Sequence, residues 1–238
     1  MPCAYCVIPL VRGPESSLPL QHVIDQVEQR VREGHLEIVL TGTRIGAYSY
    51  DGVRLAGLVR NVLAIPGLRR LRLSSLQPHE LSPDLLDLWH DERLCPHVHM
   101  SLQSGSASVL RRMRRGYTPD AFLSSLATLR HISDQMAITT DIMVGLPGET
   151  GQEFEETMSF CEKASFSRIH VFPFSSRPGT EADGMSDHVP ASIVKDRVHM
   201  MSEVAALSRV RYEHSCLGSV RDVLWESETA VSSGLYSG

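Results

Sequence analysis

A repeated alternation of short apolar segments with amphipathic helical segments constrains the fold of this 238-residue chain more than any other feature. Apolar residues recur at helical spacing before several of the short segments, and the loops between the two kinds of segment are short. Strands are predicted at residues 36–40, 71–73, 98–102, 137–144 and 168–172, and helices at 20–31, 55–63, 83–90, 120–132, from 150 onward, and 190–213. Five alternations of this kind predict a parallel sheet, either open or closed into a barrel.

The carboxyl ends of the predicted strands are small, polar and rich in glycine. In parallel barrels the chemistry takes place on the loops that follow these ends. Ordinary turn chemistry explains any one of these segments, but five in register favour a ligand that lies close to the backbone. The five segments are Thr41-Gly42, Ser74-Ser75, Gln103-Ser104-Gly105, residues 145–149, and Pro173-Phe174-Ser175.

Composition narrows the class of protein. The net charge of −5 opposes binding of nucleic acid over the whole surface, although arginine clusters lie at residues 69–72 and 111–115. No apolar run approaches the about 20 residues that span a bilayer, and the N-terminus lacks the features of a signal peptide. We therefore expect a cytoplasmic protein without a membrane partner. Five cysteines, an odd number, do not resemble a disulfide framework.

Two of these cysteines, Cys3 and Cys6, form a Cys-x-x-Cys pair. Such pairs occur in zinc ribbons, in thioredoxin-like redox sites and in iron–sulfur sites. A zinc ribbon needs a second pair, which Cys95, Cys161 and Cys216 do not form, and a thioredoxin-like pair starts a helix after a strand. Taken alone, the pair is weak evidence for any one of the three.

Motifs along nearly the whole chain resemble those of the radical SAM methylthiotransferases. The cysteine pair and the residues after it are similar to the second half of that family's Cys-x-x-x-Cys-x-x-Cys loop. Residues 94–97 and 166–175 are similar to the MtaB-type branch, which modifies threonylcarbamoyladenosine in tRNA. The resemblance covers residues 3–14, 37–42, 72–75, 94–97, 102–106, 140–150, 166–175 and 177–180.

This resemblance implies an α/β fold, a partial six-stranded TIM-like barrel lacking its first strand. It also implies a 4Fe–4S cluster and S-adenosylmethionine as cofactors, with three thiolates on three irons and the fourth iron left open for the methionine group. Cleavage of S-adenosylmethionine would give a deoxyadenosyl radical, and the product would be a methylthiolated threonylcarbamoyladenosine next to the anticodon. The implied partners are tRNA and an electron donor.

The resemblance also assigns roles to individual residues. Cys3 and Cys6 are expected to be cluster ligands, and Tyr5 is expected to pack beside the cluster. No residue is assigned a catalytic role of its own. The residues expected to contact S-adenosylmethionine are Gln103, Ser104 and Arg115, the loop residues Gly145, Pro147 and Gly148, and the strand-end pair Thr41 and Gly42.

The chain departs from the family pattern at both ends. The first cysteine of the motif would stand four residues before Cys3, which is before Met1, and Ser16-Ser17-Leu18 stands where the family has Arg-Ser-Arg. We therefore expect an N-terminally truncated radical SAM core at residues 1–214. Residues 215–238 are expected to be part of a TRAM-like β segment whose first strand is at 219–226. The alternatives are a methylthiotransferase for isopentenyladenosine tRNA or for a ribosomal protein, and a non-catalytic RNA-binding remnant.

Overall fold

A computed structural model describes residues 3–228, 234, 236 and 237. Its helices are α1 (Ile8–Arg12), α2 (Leu20–Arg32), α3 (Leu55–Leu63), α4 (Pro83–Leu86), α5 (Ala107–Arg112), α6 (Pro119–Ile132), α7 (Gly151–Ala164) and α8 (Ala191–Ser215). Its strands are β1 (Glu37–Leu40), β2 (Ser49–Tyr50), β3 (Val53–Arg54), β4 (Arg70–Leu73), β5 (His97–His99), β6 (Ala137–Val144), β7 (Arg168–Pro173), β8 (Ser227–Glu228) and β9 (Tyr236–Ser237).

The five strands of the main sheet are parallel and follow the chain order β1-β4-β5-β6-β7. β1 pairs with β4, and β5, β6 and β7 pair in succession. Single bridges from Leu71 to Leu94 and from Leu76 to Met100 join the two groups. The α/β fold with a parallel sheet is therefore confirmed, and the strands form a partial TIM-like barrel with one edge at β1 and the other at β7.

Strict alternation along β6 gives the sheet two different faces. Ile138, Thr140, Ile142 and Val144 are buried, whereas the residues between them are half-buried. The buried side packs against the helices, where the Phe122 ring lies among other aromatic rings of the core. This packing of apolar side chains between sheet and helices holds the strand ends in place.

The opposite face, called the lumen face below, is polar. Glu37 on β1, Arg72 on β4, His99 on β5, Asp141 on β6 and His170 on β7 all lie on it. Barrel interiors of this kind are usually filled with layers of branched apolar side chains. A charged lumen face in their place is better suited to holding a polar ligand.

Two helix predictions are confirmed closely. The capping box at Thr150 and Glu153 starts α7, and Thr118 caps α6 through its side chain. The helix predicted at 83–90 is shorter, because α4 ends at Leu86 and Asp87–His90 forms a 3-10 turn.

The strand predicted at residues 219–226 is wrong. These residues form no regular structure, and the apolar side chains of Val220 and Trp225 are 93% and 64% exposed. An alternating pattern forms a strand where a neighbouring sheet covers its apolar side, and no such cover is present among the described residues. β8 starts directly after this segment and pairs with β9, so the TRAM-like assignment of 215–238 stays a prediction.

Within the described part of the chain, no helix is both long enough and apolar enough to cross a membrane.

Candidate functional site

The Cys-x-x-Cys segment is a tight turn held from both sides by backbone hydrogen bonds. The amide of Cys6 donates to the carbonyl of Cys3 at 3.1 Å, which brings the two residues into one turn. Between them, Ala4 is buried; its amide donates to the carbonyl of Met113 at 3.0 Å, and its carbonyl accepts from the amide of Ala182 at 2.9 Å. Both cysteines are free and half-buried. The turn therefore presents two thiols from a fixed backbone.

Arg115 connects this turn to the end of β5. One guanidinium nitrogen, Nη1, donates to the sulfur of Cys3 at 3.2 Å, and Nη2 donates to the carbonyl of Ser101 at 2.8 Å. Its Nε donates to the Tyr117 hydroxyl at 2.8 Å, and that hydroxyl donates to the same Ser101 carbonyl. The thiolate is the form of cysteine that binds a metal, and Arg115 brings a positive charge to the atom that would carry it.

Tyr5 lies inside the turn and packs with Met143 against a small apolar cluster that includes Met113 and Leu146. Burial raises the pKa of Tyr5, so its hydroxyl is neutral at physiological pH. The cluster joins the cysteine turn to the loop that begins at Gly145, because Leu146 belongs to that loop.

The loop from Gly145 to Glu149 is fixed by a buried ion pair. The amide of Gly145 donates to Oε2 of Glu149 at 2.7 Å, and the same oxygen accepts from Nη1 of Arg197 on α8 at 2.7 Å. Burial raises the pKa of Glu149, and the Gly145 amide and Arg197 oppose that rise. Gly145 and Gly148 have φ angles of +81° and +76°, which favour glycine. A Cβ on Gly145 would also lie 2.6 Å from a methyl carbon of Val194.

A second ion pair supports the same loop from α5. Arg112 donates to the carbonyl of Gly148 at 3.2 Å and to both carboxylate oxygens of Glu153, at 2.7 and 2.9 Å. The hydrogen bond from Arg112 lowers the pKa of Glu153 to about 2. Glu153 also completes the cap of α7, so the loop and the helix start share one anchor.

The structure brings most of the predicted site residues to one end of the sheet. Cys3, Tyr5, Arg115 and the loop from Gly145 to Gly148, which includes Pro147, are linked by the contacts above. Gln103 lies at the same end, since its amide and carbonyl bond to Asp141 and Met143 of β6 at 2.8 and 2.9 Å. Its φ of +71° is unusual for a residue other than glycine.

Two other predictions fit less well. Ser104 is fully buried, and its hydroxyl forms a hydrogen bond with the Thr157 hydroxyl on α7 at 3.0 Å. Thr41 and Gly42 line a groove of about 550 Å³ between β1 and α2, whose walls come from residues 15–18, α2, Leu58 and residues 38–48. The contacts that join the cysteine turn to the Gly145 loop do not involve these three residues. Their contact with S-adenosylmethionine stays a prediction.

Sequence reasoning missed Arg197. Val194, Val198 and Met201 recur at helical spacing in the last long helix and pack against the core, and the buried Arg197 lies on that same face. Arginine is rarely buried without a charged partner, so its position in an apolar stripe was the signal that could have revealed the pair with Glu149.

The donor set for an iron–sulfur cluster is partly present. Two thiols in one turn, with a guanidinium beside one of them, fit two ligand positions. Among the described residues, no group of three or more cysteine, histidine or acidic side chains is placed to hold a metal ion. These residues therefore supply two of the three thiolates that the family motif uses.

Comparison with known proteins defines the class. The family model of the radical SAM superfamily matches residues 1–161, and the chain therefore belongs to that superfamily. Enzymes of this superfamily use a 4Fe–4S cluster and S-adenosylmethionine. Coproporphyrinogen III oxidase (HemN) of Escherichia coli shares the fold, with a TM-score of 0.62 at 19% identity over 87% of this chain and 50% of that one.

The similar curated relatives are tRNA-modifying enzymes. Over 99% of this chain, it is 41% identical to threonylcarbamoyladenosine tRNA methylthiotransferase MtaB of Thermotoga maritima, of which it covers 55%. It is 37% identical, also over 99% of its length, to tRNA-2-methylthio-N(6)-dimethylallyladenosine synthase of Syntrophotalea carbinolica, of which it covers 55%. The chain thus spans about half the length of these relatives, and their names describe two different substrates.

Proposed function

We propose that this chain is the radical SAM part of a tRNA methylthiotransferase that acts on threonylcarbamoyladenosine next to the anticodon. Similarity over 99% of the chain to two enzymes of tRNA methylthiolation supports the reaction class. The proposed cofactors are a 4Fe–4S cluster and S-adenosylmethionine, and the proposed partners are tRNA and an electron donor. We expect the protein to act in the cytoplasm.

The arrangement of the strand ends supports the cofactor assignment. Cys3 and Cys6 would hold part of the cluster, with Arg115 beside the sulfur of Cys3. The loop from Gly145 to Gly148 leaves its backbone free of side chains at both glycines, so a ligand such as S-adenosylmethionine can approach the main chain closely. The cofactor, when bound, supplies the radical chemistry, and the residues named above would hold and orient it.

The polarity of the lumen face supports threonylcarbamoyladenosine as the proposed substrate. Glu37 accepts hydrogen bonds from Arg70 and Arg72 at 3.0 and 3.1 Å, and His99 bonds to Asp141 at 3.1 Å. A threonylcarbamoyl group has a carboxylate, a hydroxyl and amide N–H groups that such side chains can pair with. A dimethylallyl group is a hydrocarbon that would displace water from these half-buried polar groups and offer them no hydrogen bond in return, which costs free energy.

One polar atom of this face has no partner among the described residues. Nδ1 of His97 is buried and makes no hydrogen bond within the described structure. Burial lowers the pKa of His97 to about 4, so its ring is neutral at physiological pH. A buried ring nitrogen without a protein partner needs a partner of another kind, which a water molecule or a polar group of a ligand can supply.

Nucleoside analysis tests the proposal. The full open reading frame that contains the chain is expressed in a strain that lacks its tRNA methylthiotransferase genes, and nucleosides from its tRNA are measured by mass spectrometry. We expect methylthio-threonylcarbamoyladenosine to appear, and to be absent when Cys3 and Cys6 are both changed to alanine. Methylthio-dimethylallyladenosine in its place would refute the substrate but keep the reaction, and neither product would refute the reaction.

A further inference from the structure

We propose that the side chains of Phe172 and His170 on β7 form a stacking platform for the target adenine base of the RNA. This inference rests on the proposed function, because it names the residues that would receive the base to be modified. Neither residue was assigned to the site from the sequence.

The geometry of the two rings suits stacking. They lie two positions apart on β7 and therefore on the same face of the sheet. Their centroids are 6.5 Å apart and their planes differ by 25°, a nearly parallel arrangement. Phe172 is 50% exposed, whereas Phe122, Phe160 and Phe166 are buried in the core. The ring of Phe172 thus has surface left for a further flat group.

The platform lies near the site described above. Phe172 pairs in register with Met143 of β6, and Met143 packs with Tyr5 against one apolar cluster. Neighbouring strands are about 4.8 Å apart, so a base stacked on Phe172 would lie close to the cysteine turn. Enzymes that modify a base inside a folded nucleic acid must take it out of its stack and hold it in such a pocket.

Hydrogen-bonding groups surround the inner end of the platform. The ring of His170 is 6.2 Å from that of His99, centroid to centroid, and Asp141 accepts hydrogen bonds from His99 and Ser101, both at 3.1 Å. Although burial raises the pKa of Asp141, these bonds lower it overall, so its carboxylate is ionised and accepts hydrogen bonds.

This neighbourhood favours a base over a purely apolar occupant. A single base offers both a π face for stacking and a hydrogen-bonding edge. An apolar side chain from another protein would cover Phe172 but would leave the polar groups of His99 and Asp141 facing hydrocarbon, which is unfavourable. An adenine satisfies both kinds of surface at once.

A binding cycle with two RNAs tests the platform. The first RNA is an anticodon stem-loop with adenine next to the anticodon, and the second is the same RNA with an abasic residue at that position. Dissociation constants are measured by fluorescence anisotropy at one fixed salt concentration, because affinity for RNA depends on salt. Phe172→Ala should weaken binding of the adenine RNA about tenfold and leave binding of the abasic RNA nearly unchanged, since only the adenine RNA has a base that stacks on the ring.

Two further variants separate stacking from folding. Phe172→Tyr keeps a ring and should bind the adenine RNA nearly as well as the unchanged chain. Leu207→Ala, which changes a 56% exposed side chain on α8, should change neither affinity.

Three results would overturn the platform: equal loss of affinity for both RNAs in Phe172→Ala, equal affinity of the unchanged chain for both RNAs, or no binding of the adenine RNA. Failure of the proposed function has a different signature. In that case the nucleoside analysis yields no methylthio product, while the selective effect of Phe172→Ala on the adenine RNA persists.

Discussion

Replacing Cys6 by alanine should abolish iron binding by the reconstituted chain. Cys3 and Cys6 lie in one turn, and the variant would leave a single thiol there. Among the described residues no other cluster of ligands is available to replace it. Even the unchanged chain should retain fewer than the about four irons of a 4Fe–4S cluster, because it brings two thiolates where three are used.

Iron and sulfide are measured after anaerobic reconstitution and desalting. Cys216→Ala is the matched control, since this thiol is also free and half-buried but bonds to the Tyr212 carbonyl at 3.2 Å, outside the motif. The control should retain as much iron as the unchanged chain. Iron in Cys6→Ala equal to that in the unchanged chain would refute the assignment of Cys6. A stable complement of about four irons in the unchanged chain would refute the account of its donor set.

Replacing Arg197 by methionine should lower the free energy of unfolding by about 3–5 kcal/mol, because it leaves the carboxylate of Glu149 buried without its charge partner. The side chains of Arg197 and Glu149 are 9% and 1% exposed, and Nη1 of Arg197 also donates to the Glu149 carbonyl at 2.9 Å. The loss should therefore be large, and urea denaturation measures it.

The loss should also depend on pH. The pKa of Glu149 is already raised in the folded protein, so protonation of this carboxyl favours the folded state. That contribution to the free energy of unfolding is present at low pH and is lost as the pH rises through the folded pKa. Removing Arg197 raises that pKa further, so the variant should be least stable at neutral pH and should regain stability as the solution is acidified.

Two controls isolate the buried pair. Arg209→Met breaks an exposed ion pair with Glu213 and should cost less than about 1 kcal/mol. Adding Glu149→Gln to Arg197→Met removes the unpaired charge and should restore part of the stability. A loss in Arg197→Met no larger than that in Arg209→Met would contradict the role of the buried pair.

The sequence allowed the fold to be predicted because the relevant forces are local. The alternation along β6 is visible in the sequence, and Thr150 and Glu153 form their capping box within four residues of each other. The segment at 219–226 shows where this reasoning fails. Its alternation of apolar and polar residues is as clear as that of β6. A strand also needs a neighbouring sheet to pair with, and the local pattern does not reveal whether one is present.

The candidate site was predicted in part, through resemblance and not through spacing. Arg115 was expected near the cofactor, and it lies against the sulfur of Cys3, which is 112 residues away in the chain. Contacts between residues so far apart along the chain, like the pair of Glu149 and Arg197, depend on how the helices pack over the sheet. The stack of His170 and Phe172 was missed because the exposed fraction of an aromatic ring on a strand is set by tertiary structure.

The release of 5′-deoxyadenosine tests most directly whether the cysteine turn and the strand-end loops form one radical SAM site. Protein from the full open reading frame is reconstituted with iron and sulfide, reduced, and given S-adenosylmethionine, and the product is quantified by chromatography. We predict 5′-deoxyadenosine from the unchanged protein and from Cys216→Ala, and none above background from Cys3→Ala or Cys6→Ala. Release from Cys3→Ala and Cys6→Ala at the rate of the unchanged protein would contradict the account.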